Sequence, residues 1–241
     1  MTREGGTLGI AVIGGGLTGL MTAAALSHAG PRIHLIDRAE SNAAHPDERT
    51  TTINAAGARM LAALGAWDRL ETPPAPVTRI AVAEGPAPTG LAGRRRPESD
   101  LSWQFGDGQM GYVVANAALQ SALRETLSTT TVIEHRGSRV TGWLAGDTIS
   151  SLGLADAAGH EETMETALVV ACDGARSMMA ELAGLGQREE RQRQTAIVTT
   201  LRAERPHEGT AFQRFLPTGP FALMPGPEDT GGYEMSLVWT L

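Results

Sequence analysis

The residues with the clearest chemical meaning are four glycines and one aspartate. Gly14, Gly16 and Gly19 stand at the spacing G-x-G-x-x-G, Gly15 lies between the first two, and Asp37 follows eighteen positions after Gly19. A turn of glycines lets the backbone come close to a phosphate. A helix that starts there presents N–H groups that no carbonyl within the helix can use. An acid about twenty residues further on can accept the hydroxyl hydrogens of a ribose. The pattern therefore reads as a dinucleotide-binding turn. Gly14 makes the bend, Gly16 admits a pyrophosphate, Gly19 packs helix on strand, Leu17 and Thr18 open the helix, and Arg38 stands beside the acid.

These residues need a strand, a helix and a second strand to hold them. The β-rich run Ile10 to Ile13 precedes the glycines, a helix is predicted from about Leu17 to Ala29, Gly30 and Pro31 stop it, and "RIHLID" supplies the second strand. Two other readings compete for this apolar stretch: a membrane span, and a signal peptide with a small-residue site at "SHA". Glycines at 14, 15, 16 and 19 sit where a spanning helix would want helix formers, so the βαβ reading is preferred.

A second polar cluster ends the run "ALVVACDGARS". Its apolar part is predicted to be a buried parallel strand delivering Asp173 to the carboxyl edge of a sheet, where open α/β folds bind ligands. "GYVVANAALQSALRETL" reads as a strand entering a helix capped by Asn116, with Leu119, Leu123 and Leu127 on a buried face. In "INAAGARMLAALGAWDRLE" the residues Ile53, Met60, Leu61 and Leu64 suit one face of another helix. "TVIEH", "RVTGWLA" and "TISSLGLADAAG" are predicted to form a three-stranded meander, and β-type alternation returns after Gln187.

A chain of 241 residues suits one large or two modest domains. A net charge of −7 and only 4% aromatic residues argue against nucleic acid as a partner. The basic cluster Arg94, Arg95 and Arg96 reads as a solvated loop tip, and Glu84 and Asp107 as surface carboxylates. A single cysteine, Cys172, excludes an internal disulfide and fits a reducing compartment, and the six histidines show no metal-ligand spacing. The fold class expected is α/β: a Rossmann-like nucleotide-binding domain with a β-meander, interleaved with a mainly β sheet. The nucleotide-type segments are 1–76 and 111–186, and the β segments are 77–110 and 187–241.

In these motifs the chain resembles the class A flavin monooxygenases, and within them the UbiH/VisC-type hydroxylases of ubiquinone biosynthesis. "GGGLTGL" with Asp37 is similar to the family's FAD adenosine site, and "DERTTTINAAGARMLAALGAW" to the segment whose arginine, here Arg49, approaches the flavin. Gln120 stands where a polar FAD contact is common, and "VVACDGARS" is similar to the segment whose Asp173, Gly174 and Arg176 would close over the pyrophosphate. "TAIVTTLRAERPHEGTAFQRFLPTGPFALMPG" and "SLVWT" resemble the substrate-domain sheet.

The resemblance implies FAD as cofactor, hydroxylation of a polyprenylated phenol by dioxygen, and NAD(P)H or a separate reductase as electron donor. It also implies a cytoplasmic protein peripheral to the inner membrane or held in a biosynthetic complex. No catalytic residue is nominated. The family continues past such a "VWT" strand to a second Gly-Asp segment, so the chain is expected to be an N-terminal fragment that purifies nearly colourless and inactive. Two alternatives stay open: an NAD-dependent Rossmann oxidoreductase, and a non-catalytic nucleotide-binding protein on the same fold.

Overall fold

The structure is a computed structural model that describes residues 8–40, 47, 49–85, 101–104, 109–186, 188–190, 193–229 and 232–241. The arginine cluster 94–96 and Asp107 lie outside the described residues.

In chain order the elements begin with β1 (Ile10–Ile13), α1 (Leu17–Ser27), β2 (Ile33–Asp37), β3 (Thr50–Asn54) and α2 (Ala55–Ala63). A 3-10 turn (Trp67–Arg69) leads to β4 (Ala75–Val77), β5 (Arg79–Glu84), β6 (Leu101–Gln104), β7 (Gly111–Ala115) and α3 (Asn116–Ser128). Next come β8 (Ile133–Arg136), β9 (Arg139–Leu144), β10 (Ser150–Ala155), β11 (Glu161–Thr166), β12 (Leu168–Ala171) and α4 (Met178–Leu182). The last four are β13 (Ala196–Ala203), β14 (Thr210–Leu216), β15 (Gly219–Asp229) and β16 (Gly232–Thr240).

The chain divides into two compact units. One comprises Met1–His45, Leu64–Arg69 and Gln120–Glu190; the other comprises Pro46–Ala63, Leu70–Leu119 and Arg191–Leu241.

The first unit is built on a four-stranded parallel sheet in the order β12-β1-β2-β8. Alternation along β1 sends Ala11 and Ile13 to one face and Val12 to the other. α1 packs on β1 and β2 and buries Leu20, Ala23 and Ala24 completely. Ala11, Ile13 and Ile36 form a second cluster with Val140, Leu152 and Leu154 of an antiparallel meander, β11-β10-β9, and with Met179 of α4. Burying a side chain such as Leu20, Leu152 or Leu154 contributes about 1.5–3 kcal/mol, so both faces of the sheet are anchored.

The structure differs from the sequence prediction at β8, β11, β12 and the junction of β3 with α2. Ile133–Arg136 does not open the meander but joins the parallel sheet, with His34 opposite Ile133, and Glu161–Thr166 supplies the third meander strand. β12 is an edge strand with Leu168 half exposed, not a strand buried on both faces. Ile53 belongs to β3 rather than to the helix that follows, and Met60 of that helix faces solvent.

The second unit holds a small antiparallel sheet, β3-β7-β4, and a six-stranded sheet, β13-β16-β15-β14-β5-β6, in which only β14 and β5 run parallel. Ala75, Val77 and Val113 of the small sheet cluster with Ala211 of β14, and Ile80 and Met224 pack against them. Thr50 Oγ1 donates to Ser236 Oγ at 3.0 Å between the same two sheets.

Candidate nucleotide site

The site in the first unit starts where β1 turns into α1. Gly14 has φ +106°, and a Cβ there would stand 2.5 Å from the carbonyl oxygen of Cys172, so both backbone and space require glycine. Its N–H donates to Ile36 O at 2.8 Å, which ties the turn to β2. A Cβ on Gly19 would meet the Gly14 carbonyl, and the missing side chain lets α1 sit directly against the turn. Gly16 is different. It is exposed, it is the N-terminal residue bounding α1, and nothing lies within 4 Å of where its Cβ would be. No side chain caps α1, so its first-turn N–H groups and positive dipole end are available to an anion.

Asp37 ends β2 beside this turn, and its carboxylate lies over Gly15. A Cβ on Gly15 would fall 1.9 Å from Asp37 Oδ2. Oδ1 accepts the Ala39 N–H at 3.3 Å, and Oδ2 accepts Arg124 Nη2 at 3.0 Å. Arg124 also donates to the Gly15 carbonyl at 3.3 Å and, through Nη1, to Glu134 Oε2 at 3.2 Å. Gln120 Nε2 donates to the same Gly15 carbonyl at 3.3 Å. Leu17 is half-buried, while Thr18 and Arg38 are exposed at the helix start and strand end.

Across β1, the Cys172 N–H donates to Ile13 O at 2.7 Å and brings the Asp173 segment to the same sheet edge. Asp173 takes the Ser177 hydroxyl at 2.7 Å on Oδ1 and the Met179 N–H at 3.1 Å on Oδ2, so its carboxylate holds the start of α4. Gly174, with φ +86°, and Arg176 are exposed beside it.

Arg49 belongs to the second unit. It is exposed and grips Asp47 through Nε at 2.7 Å and Nη2 at 2.8 Å. These bonds, with a further one from Asn116, hold the Asp47 carboxyl down at about 2. The first unit thus gathers Gly14, Gly16, Leu17, Thr18, Gly19, Asp37, Arg38, Gln120, Asp173, Gly174 and Arg176 around one sheet edge.

The sequence gives Arg124 a positional signal and nothing more. It lies four residues after Gln120, hence on the same face of α3.

The second unit has a concavity of about 320 Å³ on its six-stranded sheet. Phe212, Phe221 and Trp239 line it with Leu216, Gln213 and Arg214, and Phe221 meets Trp239 edge to face with centroids 5.9 Å apart.

A glycine turn open at Gly16, an uncapped helix of eleven residues and an acid at the end of the second strand make a nucleotide-binding βαβ unit. The chain belongs to the FAD binding domain family, which matches residues 7–233. The open space at Gly16 and the uncapped helix fit a pyrophosphate, and the acid fits the adenosine ribose of FAD, so residues and cofactor agree.

Over 238 residues the chain is 35% identical to the ubiquinone hydroxylase UbiL of Rhodospirillum rubrum, covering 96% of this chain and 51% of that protein. It is 28% identical to the 3-demethoxyubiquinol 3-hydroxylase of Escherichia coli K12, covering 95% of this chain and 56% of that protein. The chain spans about half the length of these curated relatives. The fold is shared with the p-nitrophenol 4-monooxygenase PnpA of Pseudomonas putida DLL-E4, at TM-score 0.76 and 19% identity, over 97% of this chain and 57% of that one.

Proposed function

We propose that this chain functions in an FAD-dependent monooxygenase that hydroxylates the ring of a polyprenylated phenol on the way to ubiquinone. The observation that carries this reading is the glycine turn with Asp37 at the end of β2, in a chain of the FAD binding domain family. The names of its relatives supply the substrate class.

Bound FAD supplies the redox and oxygen-transfer chemistry; the chain supplies binding, orientation and exclusion of water. In this reading the N–H groups at the start of α1 hold the pyrophosphate, Asp37 accepts the ribose hydroxyls, Gln120 fixes the Gly15 carbonyl, and the Asp173–Gly174–Arg176 segment borders the phosphates from β12. Arg49 serves the flavin end. The aromatic concavity of Phe212, Phe221 and Trp239 suits a planar ring, and Gln213 and Arg214 can orient a ring oxygen. Electrons come from NAD(P)H or a reductase. The reaction takes place on the cytoplasmic side of the inner membrane, where a polyprenyl tail keeps the substrate.

The test is expression of the gene encoding this chain in cells lacking their own polyprenylphenol hydroxylases, grown under isotopically labelled dioxygen. One labelled oxygen atom in the quinone ring supports the reading. Substrate oxidation by NAD⁺ without oxygen uptake would make the protein a dehydrogenase, and nucleotide binding with no turnover would make it a binding protein.

A further inference from the structure

We propose that Arg124 is a positioning residue for the adenosine ribose: it fixes the carboxylate of Asp37 against the glycine turn in the orientation that two ribose hydroxyls need. The inference rests on the adenosine-site reading above and concerns a residue on α3, outside the βαβ unit.

Three groups converge on one guanidinium. Nη2 lies 3.0 Å from Asp37 Oδ2 and 3.3 Å from the Gly15 carbonyl, while Nη1 lies 3.2 Å from Glu134 Oε2. The side chain is only 10% exposed, and those of Asp37 and Glu134 are 13% and 18% exposed. An arginine is suited to this place because its donors form a rigid planar fork, whereas lysine offers one flexible point charge. The carboxylate at a strand end would otherwise turn about its side-chain torsions. Here one nitrogen links it to the carbonyl of the very turn that faces the phosphates.

The hydrogen-bond count leaves room for the ligand. An ionised carboxylate has about four acceptor positions. Asp37 gives one on Oδ2 to Arg124 and one on Oδ1 to the Ala39 N–H, so each oxygen keeps a lone pair for a ribose hydroxyl. Charge also balances locally. Arg124 and Arg136 face Asp37 and Glu134, with Arg136 Nε 2.9 Å from Glu134 Oε2. Removing Arg124 would leave Asp37 without its cation in a poorly hydrated place, and the carboxylate would turn toward solvent.

The experiment measures binding of FAD, and of an FAD analogue lacking the adenosine 2′-hydroxyl, to wild-type chain, R124Q and R124K, with circular dichroism checking the fold of each. Wild type should prefer FAD over the analogue by about tenfold, the loss expected for one hydrogen bond to a charged group. R124Q should weaken FAD and bring the two affinities within about threefold, and R124K should fall between, since charge without the fork orients Asp37 less well. A structural role alone would weaken both ligands by the same factor, and a tenfold preference retained in R124Q overturns the proposal. Should R124Q fail to fold, a full wild-type preference in R124K overturns it equally. A wild-type chain that binds FAD and the analogue alike would instead remove the adenosine-site reading, and this inference with it.

Discussion

The Asp173 carboxylate accepts the Met179 N–H at 3.1 Å, six residues ahead, and at the same time takes the Ser177 hydroxyl at 2.7 Å. Ser177 Oγ in turn accepts the Ala180 N–H at 3.0 Å. The segment after β12 is therefore held by a cap of two side chains, which also seats Met179 in the core of the first unit.

Asp173→Ala should cost about 1 kcal/mol of stability, the usual loss on removing a helix cap. Chemical denaturation of the variant checks this. An unchanged midpoint would mean that the Ser177 cap suffices alone.

The glycines should separate fold from ligand binding. Gly16→Ala adds a methyl group into open space, so thermal unfolding should change little while FAD affinity falls, because the methyl occupies the approach to the helix start. Gly15→Ala drives a Cβ into Asp37 Oδ2 and should displace the carboxylate, weakening FAD binding and stability together. Paired melting curves and FAD titrations distinguish the two; equal loss of stability in both variants would contradict this assignment.

Much of the site was legible in the sequence because its determinants are local. Gly14, Gly16 and Gly19 act within one turn, and the apolar runs on either side name their own elements, so β1, α1 and β2 fall close to the predicted residues. Pairing partners were not legible in the same way. The alternation in Ile133–Arg136 fits an antiparallel meander or a parallel edge equally well, and only its pairing with His34 to Asp37 decides. The apolar run around Leu168 suggests burial, yet an edge strand has a neighbour on one side only and leaves Leu168 half exposed. The role of Arg124 is not written in the sequence, because its partners Gly15, Asp37 and Glu134 are brought to it by tertiary packing.

The first unit should lose stability on mild acidification through His34. Its Nδ1 shares a hydrogen bond with Nε2 of His135 at 2.9 Å, and burial, then His135, then Arg32 hold its pKa below 6.5. The unfolded chain therefore binds a proton more readily than the folded one. The stabilisation is complete above 6.5 and is lost as pH falls below it. Urea midpoints should drop between pH 8 and pH 5.5 in wild type and drop less in His34→Gln. Parallel pH profiles for the two proteins would contradict this.

The most direct test of the central claim, that the glycine turn and Asp37 hold the adenosine end of FAD, is a titration of the chain with FAD in competition with ADP and with FMN. ADP should displace FAD, because both carry the adenosine and pyrophosphate that α1 and Asp37 address, while FMN should not. Asp37→Ala should weaken FAD and ADP alike by about 10- to 100-fold, as expected for losing hydrogen bonds to a charged group. Displacement by FMN but not by ADP, or full FAD affinity in Asp37→Ala, would contradict the account.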